Sequence, residues 1–484
     1  MFKLNKTEYL DKLHACWIGK NVGGTIGAPY EGGRELLDVS GFASKSGEPL
    51  PNDDLDLQLV WLAAMEQVGA DRLDTNALAG YWLDCLPPYW NEYGICKTNL
   101  RLGLLPPMSG EVDNDRWKTS NGAWIRSEIW ASLAPGLPAV AVKYAVADAM
   151  VDHGVSEGTE AEVFTATLQS LAYVERDIRR LIEAALSCIP ADGMVARTVR
   201  LVMECYDDGV DYREARERVV AFNSELGWFQ APGNIGFVVI GLLYGEGDFK
   251  KSVIYAVNCG DDTDCTAATV GATLGIIGGV SAIPRDWRDF VGDGIVTISI
   301  SGMYRHMIPE TCTQLTERVA ALLPHVMKAN GVPFGFTDGA TEISPDLLNN
   351  FGKGDARRYL DRSPYSYDVT HYSHFSVRVE LDATPRVGTG DVRHVRITVR
   401  ANERLRKTHK LCLRLLLPDG WECGRHQRTL SVEYPQPWND IPGESSIELD
   451  ITVGEQVEAV NRAYMEITSP TLAYPMMIPI VFIG

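Results

Sequence analysis

The chain has 484 residues, 45% hydrophobic and 23% charged, a balance that suits a globular protein of two or three domains and excludes a disordered one. Lys and Arg total 45 against 64 Asp and Glu, and the net charge of −19 argues against a nucleic-acid or anionic-membrane binder, which needs a basic face. The ten cysteines, from Cys16 to Cys423, contain no CxxC pair and read as reduced, mostly buried thiols.

The opening MFKLNKTEYLDKL is polar and amphipathic, without an apolar leader, and no later run is long and apolar enough to span a bilayer. The expected location is therefore the cytoplasm. Apolar residues then recur at helical spacing in Leu55–Met65, Pro138–Val151, Ala161–Leu186 and Ile235–Tyr244. Cys265–Gly279 has the same period with small residues at Ala267, Gly271, Gly275 and Gly278, which predicts a central helix approached closely by a neighbour. Past residue 370 the period shortens to two. Seven alternating segments, from HFSVRVELD to MMIPIVFIG, are separated by turns such as Pro418-Asp419-Gly420 and predict a β-sandwich. Asn349–Asp368 reads as the linker, which gives a helical domain over 1–350 and a β-sandwich over 370–484.

Two acidic clusters each open an apolar helix: Asn52-Asp53-Asp54-Leu55-Asp56 and Gly260-Asp261-Asp262-Thr263-Asp264-Cys265. One Asp suffices to cap a helix and is favoured by its dipole. Three within four residues repel one another unless a cation compensates. From the residues alone, capping and metal binding both stand. If the clusters converge, their hard oxygens suit Mg²⁺, Mn²⁺ or Ca²⁺ better than zinc, and no histidine cluster with zinc spacing exists. The aromatic run Tyr81, Trp82, Tyr89, Trp90, Tyr93 serves equally as core or as a sugar-stacking wall.

Taken in order, these motifs resemble the ADP-ribosylglycohydrolase family, including the dinitrogenase reductase-activating glycohydrolases. The family's G-x-x-x-G-D-A-L-G-x-P-x-E matches the stretch from Gly19 to Glu31. Its T-D-D-T matches Asn52-Asp53-Asp54-Leu55, and its G-G-D-T-D-T/S matches the stretch from Asp261 to Cys265. Ser120-Asn121-Gly122-Ala123 matches an S-N-G-A loop, and Asp152-His153-Gly154 falls where the family has a Thr-His pair. The agreement runs from residue 9 to about 330 and leaves the β-rich part uncovered.

The resemblance implies an all-α core holding two divalent ions, Mg²⁺ with Mn²⁺ or a single ion as alternatives, and hydrolysis of a glycosidic bond. It assigns Asn52, Asp53, Asp54, Asp262, Asp264 and Cys265 as metal ligands. Asn52 and Cys265 depart from the family's Thr and Thr/Ser, and a thiol is a poor ligand for Mg²⁺. Glu31 and Asp54 are the catalytic candidates. Ser120, Asn121, Gly122 and His153 are substrate contacts, the loop offering backbone N–H groups to a phosphate or other oxyanion. The expected substrate is a small-molecule glycoside or ADP-ribosyl compound, with homo-oligomerisation left open. A plain glycosidase of carbohydrate catabolism and a non-catalytic binding relative are the competing readings.

Overall fold

A computed structural model describes the chain except residues 45, 46, 402–406, 437, 438, 440 and 471. It divides into two compact units, one of Met1–Lys97 with Asn114–Asp361 and one of Thr98–Asp113 with Arg362–Gly484.

The first unit is helical. At its centre the helix Lys6–Gly27 runs antiparallel against Thr263–Gly278. The contact is backbone on backbone. A Cβ on Gly19 would enter the Gly271 carbonyl, one on Gly23 the Ala267 carbonyl, one on Gly27 the Thr263 carbonyl and one on Gly275 the Ala15 carbonyl. Residues four apart share a helix face, so one stripe of small residues on each helix carries the whole approach. The small-residue helix expected at the centre is there. The predicted Ala161–Leu186 run is instead two helices, Glu157–Ala172 and Ile178–Leu186, because Asp177 caps the second by accepting from the Arg180 N–H at 3.1 Å. A small sheet also forms, pairing Phe2–Asn5 in parallel with Phe334–Thr337 and antiparallel with Glu342–Ile343. Strands of two to four residues left no readable pattern.

The second unit is the β-sandwich. Its five-stranded antiparallel sheet has the order Ser366–Val369, Phe375–Leu381, Val392–Ala401, Glu444–Thr452, Glu422–Cys423. Its four-stranded antiparallel sheet has the order Met476–Ile483, Val460–Thr468, His409–Leu416, Gln427–Val432. Alternate residues such as Val377, Val379, Ile397, Leu413, Ile467 and Ile478 bury one face of each sheet in a common core, to which Leu104, Met108 and Val112 also contribute.

Among the described residues no helix is long and apolar enough to cross a membrane. All ten cysteines are free thiols, and all but Cys412 are buried.

Candidate active site

The close helix pair decides where the acidic residues meet. Because the two helices run antiparallel, the last turn of Lys6–Gly27 abuts the first turn of Thr263–Gly278. The Thr263 hydroxyl donates to the Gly27 carbonyl at 2.8 Å. The same last turn holds the other acidic cluster, since a Cβ on Gly24 would strike the Asn52 side-chain amide. Asn52 caps the helix Asp53–Val68, its Oδ1 accepting from the Asp54 N–H at 2.8 Å. Past Gly27 the chain turns at Gly32, whose φ of 81° suits glycine. There Gly32 N–H donates to the Asp261 carbonyl at 2.8 Å and Asp261 N–H to the Gly33 carbonyl at 2.6 Å. Glu31 is thereby clamped beside the second cluster.

Two sets of ligand atoms result, each with all atoms within 4.8 Å of one another: Glu31, Asp262 and Asp264, and Asp54, Asp264 and Cys265. Asp264 belongs to both. Burial, then the Asp264 and Asp54 charges, pushes the Asp262 carboxyl well above its usual range, and burial raises Asp264. Asp53 rises to about 6 through burial and Asp264. Glu31 is exposed at the mouth, yet crowding by protein and then the Asp264, Asp53 and Asp261 charges raise it to about 7. The Cys265 thiol is pushed up by burial and its acidic neighbours and donates to Asp54 Oδ1 at 3.2 Å. Asp54 Oδ2 faces the fully buried Lys20 ammonium at 3.8 Å. Lys20 also donates to the Ile125 carbonyl at 2.7 Å and to Glu128 at 3.1 Å.

A cavity of about 200 Å³ opens over this cluster. Glu31, Asp53, Asp262, Asp264 and Cys265 form one side. Ser120, Asn121, Gly122 and Ile125 form another, and Trp90, Asn91, Glu92, Tyr93, Trp117 and Phe229 complete it. Asn121 ties the two acidic and loop sides together, its Nδ2 donating to Asp262 Oδ2 at 2.6 Å and its Oδ1 accepting from Trp124 Nε1 at 3.1 Å.

Behind the loop stands a buried charge network that the sequence did not announce. Arg126 donates to Asp148 at 3.0 Å, to both Asp152 oxygens at 3.0 and 2.8 Å, and to the Gly122 carbonyl at 2.5 Å. Burial raises Asp152, but Arg126 and His153 outweigh it and hold the carboxyl down to about 2. His153 is wholly buried, with Nδ1 3.0 Å from Asp152 and Nε2 3.3 Å from the Ser120 hydroxyl. It does not line the cavity but stands behind Gly122 and Ser120.

Two acids of the clusters point elsewhere. Asp56 lies on the far face of its helix and accepts from the Ile298 and Ser299 N–H groups at 2.7 and 2.5 Å. Asp261 accepts from the Phe229 N–H at 3.0 Å and from Asn234 at 2.8 Å, which fixes Phe229 in the cavity wall. The aromatic run divides: Trp82 is buried against Arg126 and Tyr93, whereas Trp90 is 47% exposed and faces the cavity. Glu92, between them, lines the cavity with no sequence signal beyond its aromatic neighbours.

The donor set fits a hard divalent cation. Asp54 Oδ2, Asp262 Oδ1 and Asp264 Oδ1 are buried and lack hydrogen-bond partners, a state that costs free energy unless a cation satisfies it. Cys265 is the one soft atom, and its proton is committed to Asp54.

The profile of the ADP-ribosylglycohydrolase family matches residues 5–323. A solved structure described as an ADP-ribosylglycohydrolase-related protein complex is 21% identical with a TM-score of 0.43, the similarity covering 66% of this chain and 100% of that one. No curated protein matches the chain in sequence. With a family profile running from before its first glycine stripe to beyond its second acidic cluster, the chain belongs to the ADP-ribosylglycohydrolase family.

Proposed function

We propose that this chain is a divalent-metal-dependent glycohydrolase. It would cleave an N- or O-glycosidic bond of an ADP-ribosyl, ribosyl or other furanosyl or glycosyl substrate in the cavity above Asp262 and Asp264. The observation that carries this reading is the pair of buried, partnerless carboxylate oxygens, Asp262 Oδ1 and Asp264 Oδ1, beside Glu31 at the cavity mouth.

Asp53, Asp54, Asp262 and Asp264 would hold the metal, Mg²⁺ by the hardness of the donors, with Asn52 and Cys265 adjoining them. When bound, such an ion supplies a Lewis-acidic point beside the scissile bond. Glu31 exchanges the proton with water or leaving group, because it is the most exposed of the clustered acids that line the cavity. Asp54 supports the site from behind, fully buried between the Cys265 thiol and Lys20. Ser120, Asn121 and Gly122 shape the wall against which substrate rests, and His153 holds Ser120 in place.

The test is metal content of the purified protein, paired with sugar release from ribosyl, ADP-ribosyl and aryl glycosides. Bound Mg²⁺ or Mn²⁺ that disappears in Asp262→Ala, together with metal-dependent release, is the expected result. Absence of metal at millimolar supply would sink the reading.

A further inference from the structure

The cavity wall has a composition that bears on what the leaving molecule and sugar can carry. Five carboxylates line it: Glu31, Asp53, Glu92, Asp262 and Asp264. Among the described lining residues there is no Lys, Arg or His. Even a pair of divalent cations, with four positive charges, would leave the wall acidic. Buried cations around the site are already committed, Lys20 to Glu128 and Asp54, Arg126 to Asp148 and Asp152, and Arg216 to the Cys259 and Arg34 carbonyls. Arg116 lies against the Trp117 ring, 4.7 Å from its centre, and does not line the cavity.

The loop that could seat an oxyanion is closed by a carboxylate. A Cβ on Gly122 would strike Glu92 Oε1, so the open side of that glycine is occupied. Glu92 is 7% exposed and belongs to the wall. The Asn121 amide is given to Asp262, and the Gly122 carbonyl faces Arg126. At Gly122 a phosphate oxygen, which offers only acceptors at neutral pH, would meet the Glu92 carboxylate. A sugar hydroxyl offers a donor, which carboxylates satisfy with charge-assisted bonds. The opposing aromatic side chains Trp90, Tyr93, Trp117 and Phe229 offer faces to the C–H side of a sugar ring.

We propose that the substrate is an uncharged glycoside, bound through its hydroxyls to the carboxylates and through its ring to the aromatic wall. The site rejects the diphosphate of an ADP-ribosyl group, and Glu92 is the specificity-determining residue. This rests on reading the cavity as a glycohydrolase site. The reaction is plain hydrolysis: the water oxygen bonds to the anomeric carbon, the bond to the leaving oxygen breaks, and one water proton ends on the released alcohol.

The experiment uses the full chain with MgCl₂. A panel of uncharged 4-nitrophenyl furanosides and pyranosides is assayed for cleavage and, through tryptophan fluorescence, for binding, and ADP-ribose is titrated in parallel. The expected result is cleavage or binding of at least one uncharged glycoside, with no saturable ADP-ribose binding below about 1 mM. In Glu92→Gln, the ratio of affinities should move toward ADP-ribose by about tenfold. Saturable ADP-ribose binding tighter than any panel member, or release of ADP-ribose from ADP-ribosylarginine, would overturn this inference and leave the glycohydrolase reading standing. Neither class bound or cleaved would overturn both. The wild-type comparison decides the matter even if Glu92→Gln fails to fold.

Discussion

Gly27 and Thr263 meet where two helices end and begin, so closely that a Cβ on Gly27 would enter the Thr263 carbonyl, while the Thr263 hydroxyl donates to the Gly27 carbonyl. This contact places Glu31, four residues beyond Gly27, beside Asp262 and Asp264, on either side of Thr263. Geometry of the site therefore depends on the glycine stripe. Gly23→Ala puts a methyl into the Ala267 carbonyl, and backbone cannot step aside as a side chain can. It should cost about 3 kcal/mol of stability, read as a lowered urea midpoint, whereas Gly233→Ala, with open space around its Cβ position, should cost much less.

Lys20 is a fully buried cation set between Glu128 and Asp54. Lys20→Met would leave both carboxylates without their positive partner. A loss of about 3–5 kcal/mol is expected. Added MgCl₂ should restore more of the melting temperature in this variant than in the wild type, because a cation takes up the stranded charge of Asp54. An equal response in both proteins would speak against the coupling of Lys20 to the metal cluster.

Asp264 sits in both ligand sets, and its buried Oδ1 has no partner. Removing its charge relieves repulsion that only a cation otherwise offsets. Asp264→Asn should therefore melt above the wild type in EDTA, by about 1–2 kcal/mol of stability, and should no longer respond to Mg²⁺. A variant less stable than the wild type in EDTA would refute the repulsion argument.

Arg126 bridges the buried Asp148 and Asp152. Arg126→Met should destabilise the fold by about 3–5 kcal/mol, and it should loosen Gly122, whose carbonyl Arg126 holds. Hydrogen exchange at the amides of 120–123 is the direct measure, faster exchange being the expected outcome.

Glu160 has a buried Oε2 without a hydrogen-bond partner, and burial, then Glu157 and Asp192, raise its pKa from 4.5 to about 8. In the folded chain it keeps a proton that the unfolded chain has lost above pH 4.5. The folded state thus binds more protons between roughly pH 4.5 and 8, and the group's contribution to stability falls as pH rises through that window. Glu160→Gln removes this penalty. Its melting temperature should exceed that of the wild type by on the order of 1–2 °C at pH 8 and match it near pH 4.5. A difference that does not change with pH would refute this account.

What could be read in the sequence is what neighbours along the chain dictate. Small residues four apart in Cys265–Gly279 signal close helix packing, because residues four apart share a face. Alternation after residue 370 signals strands half buried in a sandwich, because successive side chains point to opposite faces. The order of glycine, acidic and S-N-G-A motifs signals the family. The first two are settled within a few residues of where they are written.

Other features were decided only in three dimensions. That Asp54 turns inward to Cys265 and Lys20 while Asp53 faces the cavity follows from helices that meet more than 200 residues apart in sequence. The same holds for Asp56 and Asp261, written in the same two acidic clusters yet spent on the backbone of Ile298, Ser299 and Phe229. His153 lies behind the wall, and Glu92 and Trp90 lie in it, because the buried Arg126 network fixes which side of the Ser120–Gly122 loop faces out. A carboxylate's role is set by which donors and charges surround it, and those come from remote segments. Composition and period thus determine the scaffold, and the order of the motifs marks the family, while long-range packing determines which acids are left unpartnered beside the cavity.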